Sequence, residues 1–232
     1  MDNKNMDIIK EINNIQTQFV QQLEMIRNVY ATTLYYNESN NPSSIIFGLS
    51  EDGSLYSKVD SYKCSILKAS GDKYYGTVRN LLLVSLLTIF ETFCDSLLQI
   101  ANDYRTTQGM DIISDKKIDN YLMGNLKIRW ENIFKAFNVD FSSIPTSHQN
   151  DLKLLDKYRI YRNQIVHENG KITEEFKTKV LAISNHAKEL AQLDNTVSDS
   201  FYISSYNFSE GIYLFELTTK SMIRSILENL IS

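Results

Sequence analysis

Turn-forming residues are scarce, with only two Pro and eight Gly in 232 positions. That scarcity excludes a many-stranded sandwich or barrel, and the long Leu/Ile/Lys/Glu/Asn stretches between the few breakers suit helices. Cysteine is nearly absent as well: Cys64 and Cys94 stand 30 positions apart with no C-x-x-C, and His148, His167 and His186 stand 19 apart. Neither a disulfide scaffold nor a local metal-ligand cluster is legible, and no cofactor is expected. There is no basic excess, since 24 Lys and Arg face 28 Asp and Glu for a net charge of −4, which argues against coating nucleic acid by bulk electrostatics. The opening MDNKNMDIIKEINN has no basic flank followed by an apolar run. A signal peptide is therefore not expected, and the reading is cytoplasmic with reduced thiols. The most apolar run, Leu81 to Phe90, is shorter than the roughly 20 residues a bilayer demands, so no membrane association is expected. G-x-x-x-x-G-K-[ST], G-x-G-x-x-G, G-x-S-x-G and H-E-x-x-H are all missing, which removes the commonest NTPase, dehydrogenase, hydrolase and zinc-protease readings.

What is present is enough apolar residue, 43% against 22% charged, for a sizeable core. A mainly α bundle forming a single domain over 1–232 is expected. From about 5 to 36, Ile8, Ile12, Ile15, Phe19, Leu23, Ile26, Tyr30 and Leu34 step by three and four, the pattern of a helix with one buried stripe. Residues 37–71 combine Pro42, glycines and many Ser and Asn, and read as an extended loop with one or two short strands. From 72 to 104 the chain is apolar nearly all round, as in the central helix of a bundle. A third helix is expected from about 116 to 138. Ser142-Ser143-Ile144-Pro145 then breaks the chain, and a fourth helix begins near Ser147 and ends at a Gly170 cap. A fifth, from about 173 to 193, folds back to make a helical hairpin. The stretch SDSFYISSYNFSEGIYLFEL alternates in part and carries Ser209-Glu210-Gly211, which reads as a small C-terminal β-hairpin at about 199–217, followed by a closing helix to Ile231.

Only 111–170 is net positive. Within it Lys153, Lys157, Arg159 and Arg162 oppose a single Asp156, interleaved with Tyr158 and Tyr161. Lys153, Lys157, Arg159 and Tyr158 are thus candidate RNA contacts, the alternative being a solvated basic face with the tyrosines packed inward. At about 100° per residue, Leu154, Tyr158, Tyr161 and Ile165 share a core-facing arc of about 60°. Arg159, Asn163 and His167 line the adjacent face, and Arg162 lies about 140° from His167. Either Arg162 bends around the helix end, or each of the two reaches a site completed by a second copy of the chain. His148 and His186 read as surface residues, and Cys94 as core.

The run Arg162-Asn163-Gln164-Ile165-Val166-His167-Glu168-Asn169-Gly170 resembles the signature of the HEPN superfamily (higher eukaryotes and prokaryotes nucleotide-binding). In that family an Arg, often followed by Asn, precedes a His by four to six residues at the close of a core helix. The order of elements is similar too: a long apolar helix with a mid-helix carboxylate at Phe90-Glu91-Thr92-Phe93 comes before, and another helix follows. The resemblance spans roughly 72–193, leaving the first helix, the 37–71 loop and the C-terminal segment outside it.

The resemblance implies a metal-independent endoribonuclease that works as a homodimer with one composite cleft. It also implies a toxin or antiphage defence effector held in check by an antitoxin or other regulatory protein. By the family pattern His167 is the acid/base, Arg162 the phosphate clamp and Asn163 an orienting residue; from its position in the chain, Glu91 is read as supporting Arg162 through an ion pair, the alternative being a capping or structural carboxylate. The residue types suit the work: imidazole titrates near neutrality, and the planar guanidinium fork matches phosphate oxygens. Attack by the ribose 2′-OH would leave a 2′,3′-cyclic phosphate. HEPN-like members that bind or dimerise without cleaving make a catalytically inactive module the alternative.

Overall fold

A long helix rich in leucine and phenylalanine must bury its apolar face, and the chain supplies the cover. The computed structural model describes residues 3–38, 44–49, 55–60, 72–183 and 200–231. Helix α1 (Asn3–Glu38) is followed by strands β1 (Ser44–Leu49) and β2 (Leu55–Asp60), then by α2 (Asp72–Thr107), α3 (Asp115–Leu122), α4 (Leu126–Ala136), α5 (Thr146–His167), α6 (Glu174–Ile183) and α7 (Ser205–Ile231). The architecture is mainly α. Helix α2 touches α1, α3, α4, α5 and α7, and buries Leu83, Leu86, Leu87, Phe90, Leu97 and Leu98 among them. By length and composition α2 could cross a membrane, but half of its apolar window is buried inside the bundle.

The stripe on α1 does what its spacing requires. Ile8, Ile12, Phe19, Leu23, Ile26 and Tyr30 are buried, and Phe19 meets Phe90 and Phe93 of α2 at ring-centre distances of 6.2 and 4.7 Å. Strands β1 and β2, inside the expected 37–71 excursion, pair antiparallel with Ser44 opposite Asp60 and Leu49 opposite Leu55. The remainder of that excursion with Cys64, and the expected extension of the fifth helix over 184–193 with His186, lie outside the described residues.

Two expectations are corrected. The single helix over 116–138 is two, α3 and α4, because Gly124 takes a left-handed φ of 95° and the Asn125 side chain accepts the Ile128 N–H at 2.9 Å to start a new helix. The C-terminal β-hairpin is absent: residues 205–231 form one helix. Phe208, Ile212, Phe215, Thr219, Met222, Ile223 and Ile226 recur at helical spacing and are buried. Gly211 belongs to no turn. A Cβ there would lie 2.7 Å from Cε1 of Tyr158, so glycine is what lets α7 close on α5.

The segment before α7 runs extended and is held from both sides. The Asn80 amide of α2 donates to the Phe201 carbonyl (2.9 Å) and accepts the Ile203 N–H (3.0 Å), so one buried side chain mimics a paired strand. Elsewhere in the bundle Arg27 of α1 bonds Glu216 near the middle of α7, which also accepts from Lys220. Burial opposes ionisation of Glu216, but the hydrogen bonds from Lys220 and Arg27 outweigh it and hold its carboxyl below the usual range.

Two predictions follow from this packing. Gly211→Val is expected to lower stability by about 1–3 kcal/mol through overpacking against Tyr158, despite valine's better helix propensity. An unchanged urea midpoint would contradict the close approach. Because the folded pKa of Glu216 is depressed, its contribution is present above the unfolded value of about 4.3 and is lost as pH falls through the folded value. Glu216→Gln should therefore be less stable than wild type at pH 7, with the difference closing below about pH 4. Thermal melts across pH 3–7 measure it.

Candidate functional site

The site is built around the end of α5. Beyond His167, Asn169 and Gly170 both adopt left-handed backbone, with φ of 50° and 73°, and the N–H groups of Glu168 and Gly170 turn back onto the Gln164 carbonyl at 3.2 and 2.9 Å. Glycine at 170 meets both that conformation and the approach of the Phe201 backbone. The turn is pinned further. The Gln164 amide donates to the Lys171 carbonyl, the Phe201 N–H donates to the Gly170 carbonyl, and Lys171 bridges Ser200. Thr173 then caps α6 by accepting the Phe176 N–H at 3.1 Å. Tyr161, Phe176 and Phe201 pack ring against ring beneath, with centres 4.7 to 6.0 Å apart. This leaves His167 exposed on a rigid corner.

His167 opens onto a cleft of about 630 Å³ between α5 and α6, whose walls include Arg159, Asn163, Thr173, Phe176 and Lys179. Both long cations in it already hold carboxylates. Arg159 makes two bonds to Asp156 on its own helix (2.7 and 3.3 Å), and Lys179 bonds Glu175 at 2.6 Å, which holds the Glu175 carboxyl below its usual range. The exposed Lys153 borders a neighbouring cavity of about 270 Å³ with Lys127 and Asp156.

Arg162 is not among the residues lining the His167 cleft. Its guanidinium turns the other way, donating from Nη1 to Asn163 Oδ1 (3.2 Å) and placing Nη2 3.8 Å from Oε2 of Glu91 on α2. Asn163 thus touches both sides, since it also borders the cleft. Glu91 is shared: its Oε1 lies 3.2 Å from Nη1 of Arg129 on α4. Sequence reasoning missed Arg129. The available signal was an arginine inside the buried stripe Leu126, Arg129, Trp130, Ile133, where a charge needs a partner from another element.

The expected RNA-facing run divides, and two of its members are corrected. Lys157 has a side chain only 3% exposed, with Nζ 3.4 Å from Glu210 Oε2 and 5.0 Å from the ring centre of Tyr158. Tyr158 is fully buried and its hydroxyl donates to the same Glu210 oxygen at 2.9 Å. Helix α7, brought close at Gly211, covers both, so neither presents a charge or a ring to RNA. His148 sits 3.5 Å from Asp151, and Cys94 is buried with its thiol pushed up by that burial. Among the described residues no three His, Cys, Asp or Glu side chains converge as a metal-holding group.

Lys157→Ala is accordingly expected to lower unfolding stability by about 1–3 kcal/mol, as loss of a hydrogen-bonded charge pair does, and to leave the salt dependence of RNA binding unchanged. Chemical denaturation and filter-binding at several salt concentrations measure the two. A shallower salt slope with undiminished stability would return Lys157 to the RNA surface. No protein-family model, curated protein or solved structure matches this chain.

Proposed function

We propose that the protein is a HEPN-type, metal-independent endoribonuclease of the cytoplasm, a toxin or antiphage defence effector, acting as a homodimer. The observation that carries this reading is the position of His167. It is the last residue of α5, exposed on a corner fixed by backbone bonds, at the mouth of a cleft that Asn163 also borders. Asn163 in turn accepts from Arg162, so the three residues of the motif form one connected surface around the helix end.

In this reading the 2′-OH attacks the adjacent phosphorus and the bond to the 5′ oxygen breaks, leaving 2′,3′-cyclic phosphate and 5′-hydroxyl ends. His167 takes the hydroxyl proton or gives one to the departing oxygen, and Arg162 offsets the charge that builds on the phosphate. Within one chain the two side chains face different sides of α5, so a second copy completes the cleft by supplying the missing partner. An antitoxin or other regulatory protein would cover the same surface.

A second reading has its own support. The Arg159–Asp156 and Lys179–Glu175 pairs leave the His167 cleft lined by compensated charge, which suits a catalytically inactive HEPN-like dimerisation or nucleic-acid-binding module.

Incubation of total RNA with the purified protein in excess EDTA tests the two together. Cleavage with 2′,3′-cyclic phosphate ends is expected, reduced about 10²-fold or more by His167→Ala and by Arg162→Ala, with helical content unchanged. Sedimentation should report a dimer at micromolar concentration. Activity abolished by EDTA and restored by Mg²⁺ contradicts the mechanism. RNA binding without cleavage in wild type and both variants selects the inactive module.

A further inference from the structure

Two guanidinium groups, from Arg129 and Arg162, meet the single carboxylate of Glu91. The sharing is unequal. Arg129 is nine-tenths buried (side chain 10% exposed) and sits 3.2 Å from Oε1, whereas Arg162 is 26% exposed and sits 3.8 Å from Oε2. The Nε–H groups of both arginines are buried with no acceptor, so the cluster holds more donors than Glu91 and Asn163 satisfy, and one positive charge more than it has negative.

A buried guanidinium needs its counter-charge more than a partly solvated one, because water no longer screens it. Glu91 is therefore committed to Arg129. Without Arg129, the half-buried carboxylate would have Arg162 as its nearest cation and would draw the 3.8 Å contact into a closed pair. Resting on the reading of Arg162 as a phosphate contact, we propose that Arg129 is a positioning residue: by engaging Glu91 it keeps the Arg162 guanidinium unneutralised and available to an RNA phosphate. Arg129 itself stays too deep to touch RNA.

The arrangement is tested by a cycle of variants with inorganic phosphate as the probe, followed through the ¹⁵N–¹H signals of the arginine Nε–H groups and with Arg162→Ala identifying the Arg162 signal. In wild type that signal should shift saturably. Arg129→Gln should weaken phosphate binding about tenfold, the effect of one closed pair. Adding Glu91→Gln to Arg129→Gln should return the affinity to within about threefold of wild type, because no carboxylate is left to capture Arg162. A merely structural Arg129 gives no such rescue.

Wild-type affinity in Arg129→Gln, a double variant as weak as the single, or no wild-type response at all overturns the proposal. Should the single variant not fold, the double variant decides alone. It replaces the buried pair by neutral groups and leaves no uncompensated charge, and a tenfold loss in it is fatal to the idea. RNA cleavage is scored in parallel. The expected phosphate pattern with uncut RNA removes the ribonuclease reading and leaves the role of Arg129 intact, while cleavage with no effect of Arg129→Gln on phosphate does the reverse.

Discussion

Burial of the apolar face of α2 is the constraint from which the rest of the molecule follows. Its leucines and phenylalanines gain from every surface that removes them from water, and α1, α4, α5 and α7 each contribute an apolar stripe to that end. Its polar residues divide: Ser85, Thr88, Thr92 and Ser96 stay on the outer face and bond the carbonyl four residues back, whereas Asn80 and Glu91 meet partners from other elements. Asn80 answers the exposed backbone of residues 201–203, and Glu91 lies where α4 and α5 each bring an arginine. The same packing that makes the core thus decides which charges sit together beside the motif.

Charge in the sequence and charge at the surface are different quantities here. Of the four cations between 153 and 162, Lys157 is folded under α7, Arg159 is tied to Asp156, Arg162 is turned toward Glu91, and Lys153 alone stands exposed. The basic run therefore has one interior member, two part-exposed members already facing carboxylates, and one fully outward member. His167 and Arg162, the one beside Asn163 in the cleft wall and the other bonded to it, carry the proposed chemistry on geometry rather than on a surrounding positive field.

The close approach of α5 and α7 links these two themes. Gly211 admits the ring of Tyr158, Tyr158 and Lys157 converge on Glu210, and the face that could have met RNA becomes interior. At the end of α5 the backbone turn at Asn169 and Gly170 fixes the helix terminus, and the extended segment at Phe201 locks it to α2 through Asn80. The corner bearing His167 is thus tied to α2 by way of the segment that leads into α7.

Local pattern determined much of this protein. The period of three and four from Ile8 to Tyr30, the Gly170 cap and the Thr173 restart were legible because each depends on neighbours within a turn or two, whereas the helix after Leu81, expected to be apolar nearly all round, keeps one exposed face of Ser85, Thr88, Thr92 and Ser96. The angular separation of Arg162 from His167 was legible for the same reason: helix geometry is a local property. What the sequence did not determine depends on partners distant along the chain. Gly211 reads as a turn until the ring of Tyr158 is seen to occupy its side-chain space, so a hairpin was expected where a helix stands. Lys157 reads as solvent-facing until α7 brings Glu210, and Arg129 has no visible role until α2 brings Glu91 between it and Arg162. Tertiary structure alone decided these, because burial and charge pairing are settled by which helices meet, and no short-range periodicity encodes that meeting.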